Sequence, residues 1–267
     1  MFRLEDHICL ITGCGSPAGI GFAAAKQLGE QGATVLLVAT TGRIYERVRQ
    51  LERAGIRAEG YICNLLKRDE VEQLVSKVIK KYGKIDVLVN NAGIGSTAEQ
   101  MQNHGNKTHP MFYELSDDAW ESGIQKNLTI TYNITRRVLP YMIERNYGRI
   151  VHVSSVTGPV VTQKGLSAYS AAKAAVIGMS KAIAVENGKN GITSNCVLPG
   201  WVDTGVLSGA GLEASENTPV GRAGFPEEIA AGITFLAMPE ASYITGQELI
   251  IDGGNVLQEI KGGQEVY

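Results

Sequence analysis

An α/β fold with a doubly wound, mostly parallel sheet is predicted for this chain of 267 residues. Short apolar runs alternate along the sequence with segments of helical periodicity, as in repeated βαβ units. Two of the runs, 35–38 and 87–89, are apolar on both faces, which is typical of strands that helices cover on both sides. We therefore expect one domain, 1–267, that binds its ligands at the carboxyl ends of the strands.

Each element follows from its hydrophobic period and from local start and stop signals. Gly32 ends the first helix, Ser116 is a suitable N-cap before two aspartates, and Pro226 suits the first turn of a helix. The predicted strands are 7–12, 34–39, 57–63, 85–90, 149–154, 193–198 and 247–251, and the predicted helices are 19–31, 43–54, 69–82, 116–126, 128–145, 168–187 and one that begins at residue 226.

Composition and charge restrict the possible partners. A net charge of -2 gives no electrostatic reason to expect binding to nucleic acid or to an anionic membrane. No apolar run approaches the ~18 residues of a membrane span, and the charged start at 3–7 does not resemble a signal peptide. The four cysteines form no C-x-x-C pair, so we expect no disulfides, no metal site and a reducing, cytoplasmic location.

A glycine-rich loop, 12–21, lies between the first strand and the first helix. Glycines let the backbone approach a pyrophosphate, and the N-terminus of the following helix offers free N–H groups and a positive dipole end. The sequence therefore predicts a dinucleotide site here, with Gly13, Gly15, Ser16, Gly19 and Ile20 as the candidate contacts.

The end of the second strand bears on the choice between NAD and NADP. An acidic residue there would accept a hydrogen bond from a ribose 2′-hydroxyl and would repel a 2′-phosphate. This chain has Thr40, Thr41 and Arg43 instead, and hydroxyl and guanidinium groups suit a phosphate. NADP is therefore the favoured cofactor, and NAD stays an alternative.

A hydroxyl, a phenol and an ammonium group are expected to meet at one sheet edge. Ser155 follows the fifth strand, and Tyr169 and Lys173 are four residues apart on one face of the next helix. An ammonium group near a phenol favours the phenolate, so a tyrosine placed in this way could act as an acid or a base near neutral pH.

Taken together, these motifs resemble those of the short-chain dehydrogenases/reductases, over nearly the whole chain. The resemblance rests on the glycine loop, Asn90-Asn91-Ala92-Gly93, Asn127, Ser155, Tyr169-x-x-x-Lys173, Pro199-Gly200 with Thr204, and Asp252-Gly253-Gly254. It is most similar to 3-oxoacyl-carrier-protein reductases. It implies a Rossmann-type fold of seven strands and hydride transfer between a nicotinamide cofactor and a ketone or secondary alcohol.

The resemblance also implies roles for single residues. Tyr169 would be the general acid/base, Lys173 would lower the pKa of that phenol and bind the nicotinamide ribose, and Ser155 would polarise the substrate carbonyl. Asn127 would hold a water molecule in a proton relay. The remaining cofactor contacts would be Asn64, Leu65, Asn91, Ala92, Gly93, Pro199, Gly200, Val202 and Thr204.

Two segments, 94–115 and 205–218, are expected to be insertions on the substrate side. We expect the first, which is longer than is usual in the family, to form a lid or wall that narrows substrate choice. We expect the second, which is small and rich in glycine and serine, to form a mobile lid.

The glycine loop is about two residues longer than is usual in the family. It has Ala18 at a position where a basic or hydroxyl residue is common, which weakens the inference that the cofactor is NADP.

A sugar or polyol dehydrogenase is an alternative function, as is an idle NADP-binding sensor or assembly protein. The family resemblance further implies a homotetramer or homodimer that packs through helices rich in small residues.

Overall fold

The protein folds around one sheet of seven parallel strands in the order β3-β2-β1-β4-β5-β6-β7. The computed structural model describes residues 3–93, 110–205, 207 and 209–259. The strands are β1 Ile8–Thr12, β2 Thr34–Ala39, β3 Ala58–Ile62, β4 Val87–Asn90, β5 Gly148–Val153, β6 Ile192–Pro199 and β7 Glu248–Ile251. This topology confirms the predicted fold class.

Helices connect the strands and cover both faces of the sheet. They are α1 Ile20–Glu30, α2 Ile44–Arg53, α3 Arg68–Tyr82, α4 Asp117–Ile124, α5 Ile130–Arg145, α6 Ser167–Asn187, α7 Ala210–Glu216 and α8 Pro226–Ala237. Short 3₁₀ turns, such as Phe112–Glu114, join some of them. No helix in the described ranges is long and apolar enough to cross a membrane.

Alternate residues of the strands enter two separate hydrophobic clusters. Cys9 and Ile11 of β1 face the side covered by α1 and α8, whereas Ile8 and Leu10 face the side covered by α3 and α5. Both sets are buried, which is why this strand is apolar on both faces. The carboxyl ends of the strands are left as the polar edge.

Two parts of the predicted secondary structure are wrong. The break predicted between helices 116–126 and 128–145 does not exist, because the π-helical turn Gln125–Thr129 joins α4 to α5 without interruption. The predicted helices do not include the segment 205–218, yet much of it forms α7. Helix α7 begins after Gly209, which has a positive φ of 54°.

Most of the first predicted insertion cannot be compared with the structure, because residues 94–109 lie outside the described residues. The part that is described is exposed: the ring of Phe112 packs edge-on against Trp120 with 6.4 Å between the centroids. The single-domain organisation stays a prediction.

Candidate active site

A cleft of about 790 Å³ opens at the carboxyl edge of the sheet. Its floor is formed where strands end: Gly13 follows β1, Asn91 follows β4, Ser154 follows β5 and Gly200 follows β6. The cleft therefore lies where the strand-end rule for open α/β sheets predicts a ligand site.

The N-terminus of α1 faces this cleft through Ser16, Gly19 and Ile20. Gly19 is the N-cap residue of α1, and neither a side-chain cap nor an acidic residue occupies the first turn. The first N–H groups of the helix are therefore free to bind an anion, and the helix dipole favours one. This donor set fits the pyrophosphate of a dinucleotide.

The glycine loop is held against β4 by Asn91. The Asn91 Nδ2 atom donates to the carbonyl oxygens of Thr12, at 3.0 Å, and Gly13, at 3.2 Å. Gly13 has a φ of +76°, and a Cβ atom there would lie 2.8 Å from the Cα atom of Ala92. The two turns thus approach so closely that this position requires glycine.

The hydroxyl of Thr12 links the same two turns. It accepts hydrogen bonds from the backbone N–H groups of Asn91 and Ala92, both at 3.0 Å, and donates to the carbonyl oxygen of Val89 at 3.2 Å. The segment after β4 therefore supports the glycine loop through a defined set of contacts.

Ser154 and Ser155 have different contacts at the end of β5. The Ser154 hydroxyl donates to the backbone carbonyl oxygen of Lys173 at 2.9 Å and so anchors α6 against the sheet. The Ser155 hydroxyl accepts from the N–H of Thr157 at 3.0 Å and lines the cleft beside Tyr169. It also forms a hydrogen bond with the phenol of Tyr169.

Lys173 is buried and donates from Nζ to the carbonyl oxygen of Val153 at 3.0 Å. Burial lowers the pKa of its ammonium group to about 8. The Nζ atom lies 5.6 Å from the centre of the Tyr169 ring. Lysine and tyrosine are therefore neighbours, as the four-residue spacing predicts.

The pKa of Tyr169, however, is raised rather than lowered. Desolvation by burial raises it, and the hydrogen bond with Ser155 only partly opposes that effect. In the polypeptide by itself the net shift is therefore upward, because burial disfavours the charged form of the phenol. That Lys173 lowers the pKa of the phenol stays a prediction.

Asn127 lies in the π-helical turn, where its Nδ2 atom donates to the carbonyl oxygen of Gly123 at 3.1 Å. A Cβ atom on Gly93 would lie 3.1 Å from Asn127 Oδ1 and 3.4 Å from Lys173 Nζ. Asn127 therefore stands directly behind the cleft, with Gly93 between its amide and the ligand space.

The structure separates the predicted cofactor residues into two groups. Those that line the cleft are Gly13, Ser16, Gly19, Ile20, Asn91, Gly93, Tyr169, Lys173, Pro199, Gly200, Val202 and Thr204. Those that lie outside its lining are Gly15, Thr40, Thr41, Arg43, Asn64, Leu65 and Ala92.

Several members of the second group have other contacts. Arg43 Nε donates to the hydroxyl of Thr41 at 3.4 Å on the open surface after β2. Asn64 Oδ1 accepts from the N–H of Leu66 at 3.0 Å, and the carbonyl oxygen of Leu65 accepts from Asn133 at 2.8 Å.

Sequence reasoning missed the wall opposite the glycine loop. This wall contains residues after β5, after β6 and after β7, and one face of α7: Val161, Thr162, Gln163, Trp201, Leu207, Ala210, Glu213, Ala214, Asn217 and Asn255. Trp201 directly follows the Pro199-Gly200 motif, so the strand-end rule could have identified it. The face of α7 gave no comparable signal.

His152 is a buried structural residue. It lies between the Asn90 amide and the Ser194 hydroxyl, each 3.2 Å from a ring nitrogen, and burial lowers its pKa to about 3. All four cysteines are free and buried. In the described part of the chain, no three His, Cys, Asp or Glu residues are grouped so that they could hold a metal ion.

A parallel seven-stranded sheet, a helix N-terminus open to an anion, and a serine, tyrosine and lysine at the same edge define a dinucleotide-dependent oxidoreductase. Comparison with known proteins gives the same class. A family model described as Enoyl-(Acyl carrier protein) reductase matches residues 13–255.

Curated relatives match almost end to end. The chain is 39% identical to the 3-oxoacyl-[acyl-carrier-protein] reductase FabG of Thermotoga maritima over 260 residues, which cover 96% of this chain and 100% of the relative. It is 33% identical to the oxidoreductase UcpA of Escherichia coli K12, over 97% of this chain and 98% of the relative. A solved structure assigned provisionally as a gluconate dehydrogenase from Agrobacterium tumefaciens superposes with a TM-score of 0.85 at 28% identity, over 96% of this chain and 98% of that one.

The chain belongs to the short-chain dehydrogenase/reductase family, which confirms the resemblance found in the sequence. It is an oxidoreductase that transfers a hydride between a nicotinamide cofactor and a ketone or secondary alcohol.

Proposed function

We propose that the protein is an NADP-linked carbonyl reductase in which Tyr169 is the general acid/base. The observation that carries this proposal is the grouping of Ser155, Tyr169, Lys173 and Asn127 around one end of a cleft whose other end is the anion-binding start of α1. When bound, the cofactor supplies or accepts the hydride.

Tyr169 would give its phenolic proton to the carbonyl oxygen of the ketone, and Ser155 would donate a second hydrogen bond to that oxygen. Both donors stabilise the negative charge that develops there. A raised pKa keeps the phenol protonated at neutral pH, which suits the acid role in reduction. Asn127 would hold a water molecule, and that water and Lys173 would return a proton to the phenol.

Replacement of the phenol tests this assignment. Tyr169→Phe should lower kcat by about 10²–10⁴-fold, because the proton donor is lost. The variant should still bind NADPH, and the change in NADPH fluorescence on binding measures this. Tyr45→Phe, at an exposed position on α2, is the matched control and should leave both unchanged. Turnover that survives in Tyr169→Phe would contradict the mechanism.

The preference for NADP rests on the surface after β2. Thr41 and Arg43 are exposed there, and Ala39, the last residue of β2, has its Cβ atom 3.5 Å from a Cβ built on Gly15. A 2′-phosphate held near the glycine loop would thus find hydroxyl and guanidinium groups and no carboxylate from this segment.

Removal of the guanidinium group tests the cofactor choice. Arg43→Ala should raise the KM for NADPH by about tenfold and leave that for NADH nearly unchanged, because a charge-assisted hydrogen bond contributes about 1.5–3 kcal/mol. Arg49→Ala, on the exposed side of α2, is the control. Equal effects on the two cofactors would show that Arg43 does not bind the 2′-phosphate.

A 3-oxoacyl compound or another small carbonyl compound is the proposed substrate, by analogy with relatives named 3-oxoacyl-[acyl-carrier-protein] reductase. A sugar or polyol is a second candidate, because the cleft wall carries the polar side chains of Gln163, Glu213 and Asn217. That the segment 94–115 forms a wall of the substrate site stays a prediction. The cytoplasmic location also stays a prediction.

We also propose that the protein is a homotetramer or homodimer. The outward face of α6 is a stripe of small, exposed residues that includes Ala174, Ala175 and Gly178. A Cβ atom built on Gly178 meets no atom within 4 Å. Such a face would allow a second helix to approach closely.

A further inference from the structure

Helix α7 presents one small and polar face to the cleft. Ala210, Glu213, Ala214 and Asn217 line it, at the i, i+3, i+4 and i+7 spacing of a single helix face. The two alanines leave room beside the carboxylate of Glu213. The face thus combines open space with one negative charge.

This helix lies on the substrate side of the cleft. The glycine loop follows β1 and Ser155 follows β5, whereas α7 lies beside residues that follow β6 and β7, at the other end of the sheet order from β3. A Cβ atom on Gly211 would lie 3.4 Å from the indole ring of Trp201, which follows β6. Gln258, beyond β7, donates to the carbonyl oxygen of Asn217 at 3.0 Å.

The charges in the cleft are few. Among the described residues that line it, only Lys173 and Glu213 are charged. Lys173 is buried at the catalytic end and donates to the carbonyl oxygen of Val153. Glu213 is exposed, and it forms no ion pair with any residue in the described part of the chain. Its field therefore acts on whatever part of a ligand extends beyond Ser155 and Tyr169.

We propose that Glu213 is a specificity-determining residue that ranks substrates by the charge of the group beyond the reacting carbonyl. Cationic groups are preferred to neutral ones, and neutral ones to carboxylates or phosphates. Among neutral substrates, those with hydroxyl groups at this position gain a hydrogen bond to the carboxylate. This inference rests on the proposed function, because it assumes that the carbonyl lies at Ser155 and Tyr169.

The expected size of the effect follows from Coulomb's law. An exposed carboxylate several ångströms from a ligand charge, with water between them, changes the preference for each sign of charge by about twofold to tenfold. Because the site is open to solvent, added salt should weaken the preference.

Three methyl ketones with the same short alkyl spacer test the ranking. They end in a trimethylammonium group, in a methyl ester or in a carboxylate. For the NADP(H)-loaded enzyme, both kcat/KM and the dissociation constant are measured for each ketone. Glu213→Gln should bring the three values together, and Glu213→Lys should reverse their order. Glu216→Gln, an exposed position on α7 that does not line the cleft, should leave the order unchanged.

The two readouts keep this inference distinct from the proposed function. If the parent enzyme ranks the ketones by charge in binding and Glu213→Gln does not, the inference is supported, whether or not the ketones are turned over. If none of the three ketones is turned over, that result counts against the proposed reaction only. An unchanged ranking in Glu213→Gln, or no ranking in the parent enzyme, would overturn the role of Glu213 whatever the turnover.

Discussion

The ammonium group of Lys173 is held in a buried position that disfavours its charge. One hydrogen bond, to the carbonyl oxygen of Val153, only partly compensates for the loss of water, and the pKa falls to about 8. A lysine with this pKa exchanges its proton readily near neutral pH, which suits a residue that returns protons to a phenol. The same burial destabilises the folded protein.

This cost gives a pH-dependent prediction. Between pH 8 and pH 10.5, the folded chain has lost the Lys173 proton while the unfolded chain, with the ordinary pKa of 10.5, still holds it. The free energy of unfolding of the parent protein should therefore rise with pH across this window, by up to about 3 kcal/mol relative to Lys173→Met.

Urea unfolding of both proteins at fixed concentration, at several pH values from 7 to 10.5, measures the difference. Other titrating groups are common to the two proteins and cancel. A difference in stability that does not change with pH would show that Lys173 is not desolvated to this extent.

At the scale of elements, one hydroxyl connects β1 with β4 and with the turn that follows β4. Thr12 satisfies two backbone N–H groups after β4 and one carbonyl oxygen within it. Its loss would leave three polar backbone groups without their partner, next to the glycine loop. A matched site exists on β6, where the buried hydroxyl of Thr193 has no hydrogen-bond partner among the residues that the structure describes.

The two threonines should therefore respond differently to the same substitution. Thr12→Val should lower the free energy of unfolding by about 2–4 kcal/mol, because buried polar groups lose their hydrogen bonds. Thr193→Val should be neutral or stabilising. Thr12→Val should also weaken NADP(H) binding, since the turn after β4 would shift. Chemical unfolding and cofactor titration measure the two effects, and equal losses of stability in both variants would contradict this account.

The sequence predicts the sheet well, since its central strands, such as β1, β2 and β4, are short apolar runs that are buried on both faces. It predicts less of what lies between the strands. Helix α7 has seven residues and no strong apolar stripe, because its inward face lines an open cleft rather than the core. Hydrophobic periodicity has little to detect there.

The site shows the same division. Ser155, Tyr169 and Lys173 could be predicted to meet, because the end of a strand and the spacing on a helix bring them together. The direction of the Tyr169 pKa shift could not be predicted, since it depends on how deeply the phenol is buried. The π-helical turn around Asn127 likewise leaves no signature in residue types.

At the scale of the whole molecule, the exposed face of small residues on α6 belongs to the same helix that carries Tyr169 and Lys173. A contact between two copies through this face would lie on the outer side of the catalytic helix. Assembly would then hold α6 from outside, as Ser154 holds it from the sheet side at the carbonyl of Lys173.

A bulky charge on this face should separate the subunits. Gly178→Glu should convert the assembly to smaller species, because the added side chain projects from a position open to solvent in the single chain. Ala54→Glu, at an exposed position after α2, is the control. Light scattering coupled to size-exclusion chromatography gives the mass. An unchanged mass in Gly178→Glu would exclude this face as the interface.

The π-helical turn at Gln125–Thr129 also bears on how chain length can change in this protein. A π turn holds one residue more than the α turn it replaces, so a deletion here can be absorbed by an ordinary helix without a break in the chain. The flanking helices α4 and α5 would then keep their faces, because the residue removed is the one that the wider turn holds in excess, and only residues within the turn, such as Asn127, would change direction. Such a deletion would preserve a folded protein while it turned the Asn127 amide away from Lys173, so stability and catalysis can change independently at this position.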